Sequence, residues 1–147
     1  MEIKELSDYG IKFLMSNEGV ILHPYLDTKG IPTIGVGNTF YEDGSKVKMT
    51  DPPITKERAM ELFKYILKMY ELAVYSNTRD DINQNQFDAL VSLCYNIGVN
   101  GFKNSTLVKK INNNSDDVVV KAAFLMWKNP PEIMGRRNRE VALYFKK

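Results

Sequence analysis

The stretch of residues 18–39 reads EGVILHPYLDTKGIPTIGVGNT and contains most of the side chains that can carry chemistry. Glu18 follows a short run with helical apolar spacing and precedes Gly19, a combination typical of a helix end. Asp27 opens an Asp-Thr-Lys-Gly turn, and Thr33 begins an alternating run typical of a strand. We therefore expect Glu18, Asp27 and Thr33 to lie around one cleft.

The regions on either side of this stretch predict an α+β fold. Glycines at positions 30, 35, 37 and 44 interrupt short alternating runs from Tyr25 to about Lys48, which fits an antiparallel sheet of two or three strands. Helical spacing predicts a first helix capped by Ser7 or Asp8 and ending near Asn17, and then helices from Lys56 to about Tyr75, from Gln84 to about Asn96, from a Ser105 or Asn104 cap to about Ile111, from Ser115 to about Trp127 and from Arg136 to about Phe145.

Composition is that of an ordinary globular protein. The chain has 147 residues, which fits one domain, and a net charge of +2, which does not require a nucleic-acid partner. Its single cysteine, Cys94, cannot form an internal disulfide, and apolar neighbours favour a buried role. We expect no signal peptide, because the acidic start lacks an apolar core, and no membrane span.

Four ordered segments resemble one known family. Glu18, Asp27 and Thr33, followed by an Ile-Gly-Val-Gly strand, resemble the phage-type lysozymes of glycoside hydrolase family 24, and their endolysin branch in particular. Later segments resemble the same family, namely QFDALVSLCYNIG at 86–98, Phe102 with Ser105-Thr106-Leu107, and Arg136-Arg137 followed by Glu140 and Leu143-Tyr144. The resemblance covers roughly residues 10 to 145.

The resemblance implies a mostly helical, lysozyme-like fold with an active-site cleft between two lobes. One catalytic domain would span residues 1–147, with a sheet-bearing lobe at about 18–55 and a helical lobe at about 76–147. The first helix would pack on the helical lobe, and the helix from Lys56 would join the two lobes.

The resemblance also implies a peptidoglycan muramidase that cleaves the β-1,4 bond between N-acetylmuramic acid and N-acetylglucosamine with inversion. Such a reaction needs a proton donor for the leaving oxygen and a group that handles water. Glu18 would be the acid, and Asp27 and Thr33 would hold the water. A helix end disfavours an ionised Glu18, whereas a nearby arginine favours the anion, so the two effects oppose each other.

Further residues suit substrate binding or support of the site, and Asn96 and Ser105 match family positions near the substrate. Tyr25 offers a flat face, and Gly35 lets a sugar approach the strand. Either Arg136 or Arg137 would orient the catalytic glutamate, and we favour Arg136. The complete supporting set is Tyr25, Gly35, Asn96, Phe102, Ser105 and Arg136. The chain departs from the family at Asn38, where a histidine is common, which puts a structural contact there in doubt.

Structural roles compete with these functional ones. Asp27 is a residue that the turn would select in any case, and Thr33 is favourable in any strand. Asn96 and Ser105 also fit as helix caps. Trp127 fits the core better than a sugar platform. The sequence indicates no cofactor and no metal site, because its one histidine cannot supply a ligand set.

Three alternative functions remain open at this stage. The first is a non-catalytic peptidoglycan-binding module of a larger particle. The second is a lytic transglycosylase, and the third is a nucleic-acid-binding protein that uses the arginines at 136–139. For the muramidase, we expect a monomer that binds peptidoglycan glycan strands and no nucleic acid. It would stay in the bacterial cytoplasm until a holin-type lesion releases it.

Overall fold

A computed structural model describes residues 2–147, and position 1 lies outside the described residues. The chain is mostly helical with a small antiparallel sheet, which confirms the predicted fold class. The elements are α1 (Asp8–Glu18), β1 (Ile21–Leu26), β2 (Pro32–Gly35), α2 (Lys56–Asn77), α3 (Gln84–Ile97), α4 (Val99–Lys103), α5 (Thr106–Asn112), α6 (Asp117–Phe124), a 3-10 turn (Pro131–Ile133) and α7 (Met134–Tyr144).

Side-chain caps begin three of the helices, at Ser7 and Ser105 as predicted and also at Thr55. The side-chain oxygens of Ser7, Thr55 and Ser105 accept hydrogen bonds from backbone N–H groups three residues later, at 3.0, 3.0 and 3.1 Å. Asn83 adds a cap to α3 that was not predicted. The Asn83 side chain accepts from the Gln86 N–H, and the Gln86 side chain accepts from the Asn83 N–H. Local hydrogen bonds therefore define where these helices begin.

One short helix was not predicted, and the end of another helix was predicted incorrectly. Gly98, with a φ of 92°, ends α3 close to its predicted end, and the unpredicted helix α4 starts directly after it. Helix α6 ends at Phe124, before the predicted end at about Trp127. Hydrogen bonds of the 3-10 type, between residues three positions apart, follow α6. One example is the bond from the Trp127 N–H to the Phe124 carbonyl at 3.2 Å. Because residues 125–129 contain no glycine or proline, the sequence carried no signal for this ending.

The chain forms two compact units. One unit comprises Lys12–Lys68 and contains both strands. Its core includes Ile34, Val47 and Leu62, with Tyr41 and Ile54 packed against them. This apolar cluster supports the hairpin, which would be only marginally stable alone.

The other unit comprises the chain up to Ile11 together with Met69–Lys147. Helix α3 forms its centre and packs most extensively against α7. Every α3 residue from Phe87 to Cys94 is buried, as predicted for a central helix, and burial raises the pKa of the Cys94 thiol to about 12. No helix among residues 2–147 combines the length and apolarity needed to cross a bilayer.

Candidate active site

Glu18 is the last residue of α1 and its side chain is exposed. The helix buries Ile11, Leu14 and Met15, which hold its apolar face. Gly19 then takes a φ of 81°, and its N–H donates to the Met15 carbonyl at 2.8 Å. A left-handed glycine at this position stops the helix, as expected. Glu18 is therefore an exposed residue at the end of α1.

Backbone hydrogen bonds fix Asp27 in the turn between the strands. Its Oδ1 accepts from the N–H groups of Lys29 at 2.8 Å and Ile31 at 2.9 Å. The Asp27 N–H donates to the Ile31 carbonyl, and the Gly30 N–H donates to the Asp27 carbonyl, both at 3.0 Å. Among residues 2–147, Oδ2 takes part in no hydrogen bond. One carboxylate oxygen thus holds the turn, and the other remains available.

Thr33 is connected to Asp27 through the peptide unit of Ile31. Its Oγ1 donates to the Ile31 carbonyl at 2.8 Å, and the same carbonyl accepts from the Asp27 N–H at 3.0 Å. The distance between Thr33 Oγ1 and the Asp27 backbone nitrogen is therefore no greater than the sum of these two distances. Thr33 is only 3% exposed, so packing fixes its side chain. The structure brings Asp27 and Thr33 together at the same end of the hairpin.

Tyr25 and Gly35 lie on the two paired strands. Tyr25 is opposite Thr33 in the ladder and is partly buried. Gly35 is buried and has a φ of 70°, which a residue with a side chain rarely adopts. A Cβ at Gly35 would lie 3.7 Å from the Cβ of Ala59. The backbone thus gives a reason for glycine here, and contact with a sugar remains a prediction.

Asn38 is buried in the same unit. Its Nδ2 donates to the Leu62 carbonyl at 3.3 Å, and its backbone pairs with Ile34. Its Oδ1 is buried and has no hydrogen-bond partner among residues 2–147. The asparagine therefore supplies a structural contact from the loop to α2, but one of its polar atoms is left unsatisfied.

A second polar group, here called the arginine–glutamate cluster, consists of Ser92, Arg136, Arg137 and Glu140. Glu140 is fully buried, and its oxygens accept hydrogen bonds from Ser92 Oγ, from Arg136 Nε at 3.1 Å and from Arg137 Nη1. Arg136 Nη2 also donates to the Ser92 carbonyl at 3.0 Å. The cluster joins α3 to α7 through buried, charge-assisted hydrogen bonds.

The charges of the arginine–glutamate cluster do not cancel, since two arginines share one carboxylate. Burial lowers the pKa of Arg137, and the adjacent Glu140 opposes that shift. We predicted that one of these arginines orients the catalytic glutamate, but the pairing with Glu140 was not predicted. The missed signal was spacing, because Glu140 lies three and four residues after the two arginines on the same helix. The predicted contact of Arg136 with Glu18 stays a prediction.

Asn96 and Ser105 have different local roles. Asn96 is exposed, and its Oδ1 accepts from Arg137 Nη2, so it extends the arginine–glutamate cluster to the surface. It does not cap α3, whose C-cap is Gly98. Ser105 caps α5 and also donates to the Phe102 carbonyl at 2.7 Å. Since Phe102 is fully buried, it can support a site only through packing.

Trp127 was expected in the core, but it is only partly buried. Its carbonyl accepts from Arg137 Nε at 2.7 Å, and its ring approaches Gly101, where an added Cβ would be 3.4 Å away. Trp127 lines a recess of about 550 Å³ together with Asn100, Gly101, Asn104, Ser105, Thr106 and Met126. It also lines one of about 250 Å³ together with Asn96, Ile97, Asn129, Pro130, Ile133 and Arg137. This exposure was not predicted, because Trp127 follows an apolar run whose spacing indicates a buried side chain.

Known proteins match this chain in sequence and structure over nearly its whole length. The family profile described as phage lysozyme matches residues 15–140. An endolysin of Salmonella phage P22 is 42% identical over 144 residues, covering 95% of this chain and 97% of that protein. A crystal structure of a P22 lysozyme variant superposes with a TM-score of 0.88 at 40% identity, over 98% of this chain and 100% of the other.

A second solved structure gives a similar result. The endolysin from Escherichia coli O157:H7 phage FAHEc1 superposes with a TM-score of 0.89 at 31% identity. The match covers 99% of this chain and 97% of that chain. Both structural matches thus extend from the N-terminal helix to the last one.

Proposed function

The chain belongs to the phage lysozyme family, and on that premise we propose that it lyses bacterial cell walls as a peptidoglycan muramidase. It hydrolyses the β-1,4 bond between N-acetylmuramic acid and N-acetylglucosamine. The observation that carries this proposal is the 42% identity to the P22 endolysin, which extends over 95% of this chain. The exposed carboxyl group of Glu18 and the fixed pair of Asp27 and Thr33 support it.

Glu18 acts as the general acid. Cleavage requires a proton on the leaving oxygen while positive charge develops on the sugar. The Glu18 side chain is exposed at the end of α1, so a glycan oxygen can reach it.

Asp27 and Thr33 orient the attacking water. Because the Thr33 hydroxyl proton is donated to the Ile31 carbonyl, Oγ1 acts as an acceptor towards water. Asp27 Oδ2 is the second acceptor, since Oδ1 is occupied by two backbone N–H groups. A water that donates one proton to each of these oxygens keeps a lone pair for the anomeric carbon. Asp27 then takes the proton, and the configuration inverts.

Several parts of this proposal rest on the family resemblance. They are the single catalytic domain with a cleft between its lobes, the orientation of Glu18 by Arg136, and sugar contacts from Tyr25, Gly35, Asn96 and Ser105. The excess positive charge of the arginine–glutamate cluster supports a carboxylate partner for Arg136. Phe102 would support the site from the core.

The biological setting is also proposed from the family. The protein acts as a monomer on peptidoglycan glycan strands and waits in the bacterial cytoplasm until a holin-type lesion releases it. No observation favours the alternative of a non-catalytic wall-binding module.

The first test compares the wild type with Glu18→Gln in clearing permeabilised cells. We expect the rate to fall roughly 10²–10⁴-fold, because the glutamine cannot donate a proton to the leaving group. Glu61→Gln, an exposed glutamate on α2, is the matched control and should clear cells at the wild-type rate. Clearing by Glu18→Gln at that rate would remove Glu18 from the mechanism.

Product analysis separates the remaining alternatives. Mass spectrometry of released muropeptides should show new reducing ends, whereas a transglycosylase leaves anhydro-muramic ends. Because the bond cleaved is β-linked, inversion predicts that the α-anomer forms first, which proton NMR detects. Retention on purified sacculi without new reducing ends would instead support the binding module.

A further inference from the structure

A recess in the unit Lys12–Lys68 involves none of the residues assigned to the reaction. It has a volume of about 330 Å³ and is lined by Lys12, Met15, Ser16, Val20, Lys56 and Met60. The first three belong to α1, and the last two belong to the first turns of α2. This volume falls within the range of about 300–1,000 Å³ that is usual for small-molecule sites.

The inner surface of the recess is apolar and adaptable. Met15 is buried, and Val20 and Met60 are partly buried. Methionine side chains are unbranched and polarizable, so they adjust to apolar ligands of differing shape. A hydrocarbon chain can therefore replace water over these three side chains.

The rim of the recess carries positive charge only. Lys12 and Lys56 are exposed, and neither takes part in an ion pair among residues 2–147. The acidic Glu57 follows Lys56 in α2 but does not line the recess. An anionic group between the two ammonium groups would complement this charge.

The position of Lys56 strengthens the case for an anion. Lys56 is the first residue of α2, where a cation opposes the helix dipole and is unfavourable for the helix itself. A bound anion would relieve the repulsion of Lys56 and would interact favourably with the helix end.

We propose that this recess binds an anionic amphiphile, a molecule with a carboxylate or phosphate head on an unbranched hydrocarbon chain. The head lies between Lys12 and Lys56, and the chain covers Met15, Val20 and Met60. A neutral sugar would leave the lysines without a counter-charge, and a free anion would leave the apolar surface in water. The proposal does not depend on catalysis, so its failure would leave the muramidase assignment unchanged.

Calorimetric titration with octanoate, 1-octanol and acetate tests both halves of the proposed ligand. We expect saturable binding of one octanoate per chain. Octanol, which lacks the charge, and acetate, which lacks the chain, should each bind at least about tenfold more weakly. Octanol binding as tight as that of octanoate, or no saturable octanoate binding, would overturn the proposal.

Paired variants locate the binding. Lys12→Gln with Lys56→Gln should weaken octanoate binding about tenfold and should bring it to the level of octanol. Lys64→Gln with Lys68→Gln removes two exposed lysines of α2 that do not line the recess, and should leave binding unchanged. Both double variants should clear cells like the wild type, which shows that they are folded. Equal loss of octanoate binding in the two double variants would contradict the assigned location.

Vesicle sedimentation identifies the source of the ligand. Retention on phosphatidylglycerol vesicles, lost in the Lys12/Lys56 double variant and absent with phosphatidylcholine, would assign the site to lipid headgroups. Octanoate binding without vesicle retention would assign it to free fatty acids. Retention on anionic vesicles that both double variants keep equally would count against the recess.

Discussion

The hairpin around Asp27 and the arginine–glutamate cluster around Glu140 both hold polar side chains in place, but by different means. The side-chain hydrogen bonds of Asp27 and Thr33 join residues at most four positions apart. In the cluster, Arg136 and Ser92 are 44 positions apart, and Glu140 is fully buried. The hairpin keeps its carboxylate partly exposed, whereas the cluster encloses its carboxylate among donors.

The two carboxylates therefore have different roles: that of Asp27 is available for chemistry, and that of Glu140 stabilises the fold. A buried carboxylate shared by two arginines stabilises the fold, because removing it leaves charges without a partner in a low-dielectric interior. A partly exposed carboxylate held by backbone N–H groups adds little to stability, but one of its oxygens can meet a substrate or water. Substitutions in the two regions should therefore have different consequences.

The largest expected effect on stability is that of Glu140→Gln. The glutamine would place an NH₂ group where one arginine now donates, so an arginine would lose its acceptor while it remains buried. We expect a loss of about 3–5 kcal/mol in the free energy of unfolding, measured by urea denaturation followed by circular dichroism. Glu132→Gln, an exposed residue just before α7, is the control and should change stability by less than about 0.5 kcal/mol. Similar losses in both variants would remove the special role of the cluster.

Substitutions of Asp27 should show the opposite pattern. Asp27→Asn keeps the Oδ1 acceptor for Lys29 and Ile31, so stability should change by less than about 1 kcal/mol. It removes the base, so the clearing rate should fall about 10²-fold or more. Asp27→Ala loses both the acceptor and the base. Full activity in Asp27→Asn with impairment only in Asp27→Ala would mean that Asp27 serves the turn alone.

Gly10 provides a second test of long-range packing. A Cβ at Gly10 would lie 2.5 Å from Cγ of Asp88, although the two residues belong to different helices. Gly10→Ala should therefore destabilise by about 1–3 kcal/mol in urea denaturation, despite the higher helix propensity of alanine. The control is Ser16→Ala, an exposed site on the same helix, and it should be nearly neutral. Stabilisation by Gly10→Ala would show that the Asp88 contact is not tight.

The smallest expected effect is a change in the pH dependence of stability. Burial raises the pKa of Asp88, although hydrogen bonds from Ser7 and Gln84 oppose the shift. The protonated form therefore favours folding, so the contribution is complete below the unfolded value of about 3.9 and is lost as the pH rises through the folded pKa. In urea unfolding from pH 4 upwards, Asp88→Asn should lose less stability with rising pH than the wild type does. Parallel curves would contradict this assignment.

The local features of this protein could be predicted from its sequence. The caps at Ser7, Thr55 and Ser105, the stop at Gly19 and the Asp27 turn all depend on hydrogen bonds between near neighbours in the chain. Neighbouring residues encode such bonds directly, so a short sequence window contains the information. The candidates Glu18, Asp27 and Thr33 were recognisable because they lie in one short stretch that resembles a known family.

Only the tertiary structure decided how distant residues are paired. The sequence could not show that Ser92 on α3 pairs with Glu140 and Arg136 on α7, that Gly10 makes room for Asp88, or that Trp127 is partly exposed. These outcomes depend on which faces of α3 and α7 meet and on where α6 ends. The same apolar periodicity is compatible with several ways of packing the helices together. Periodicity therefore specifies which face is buried without specifying its partners.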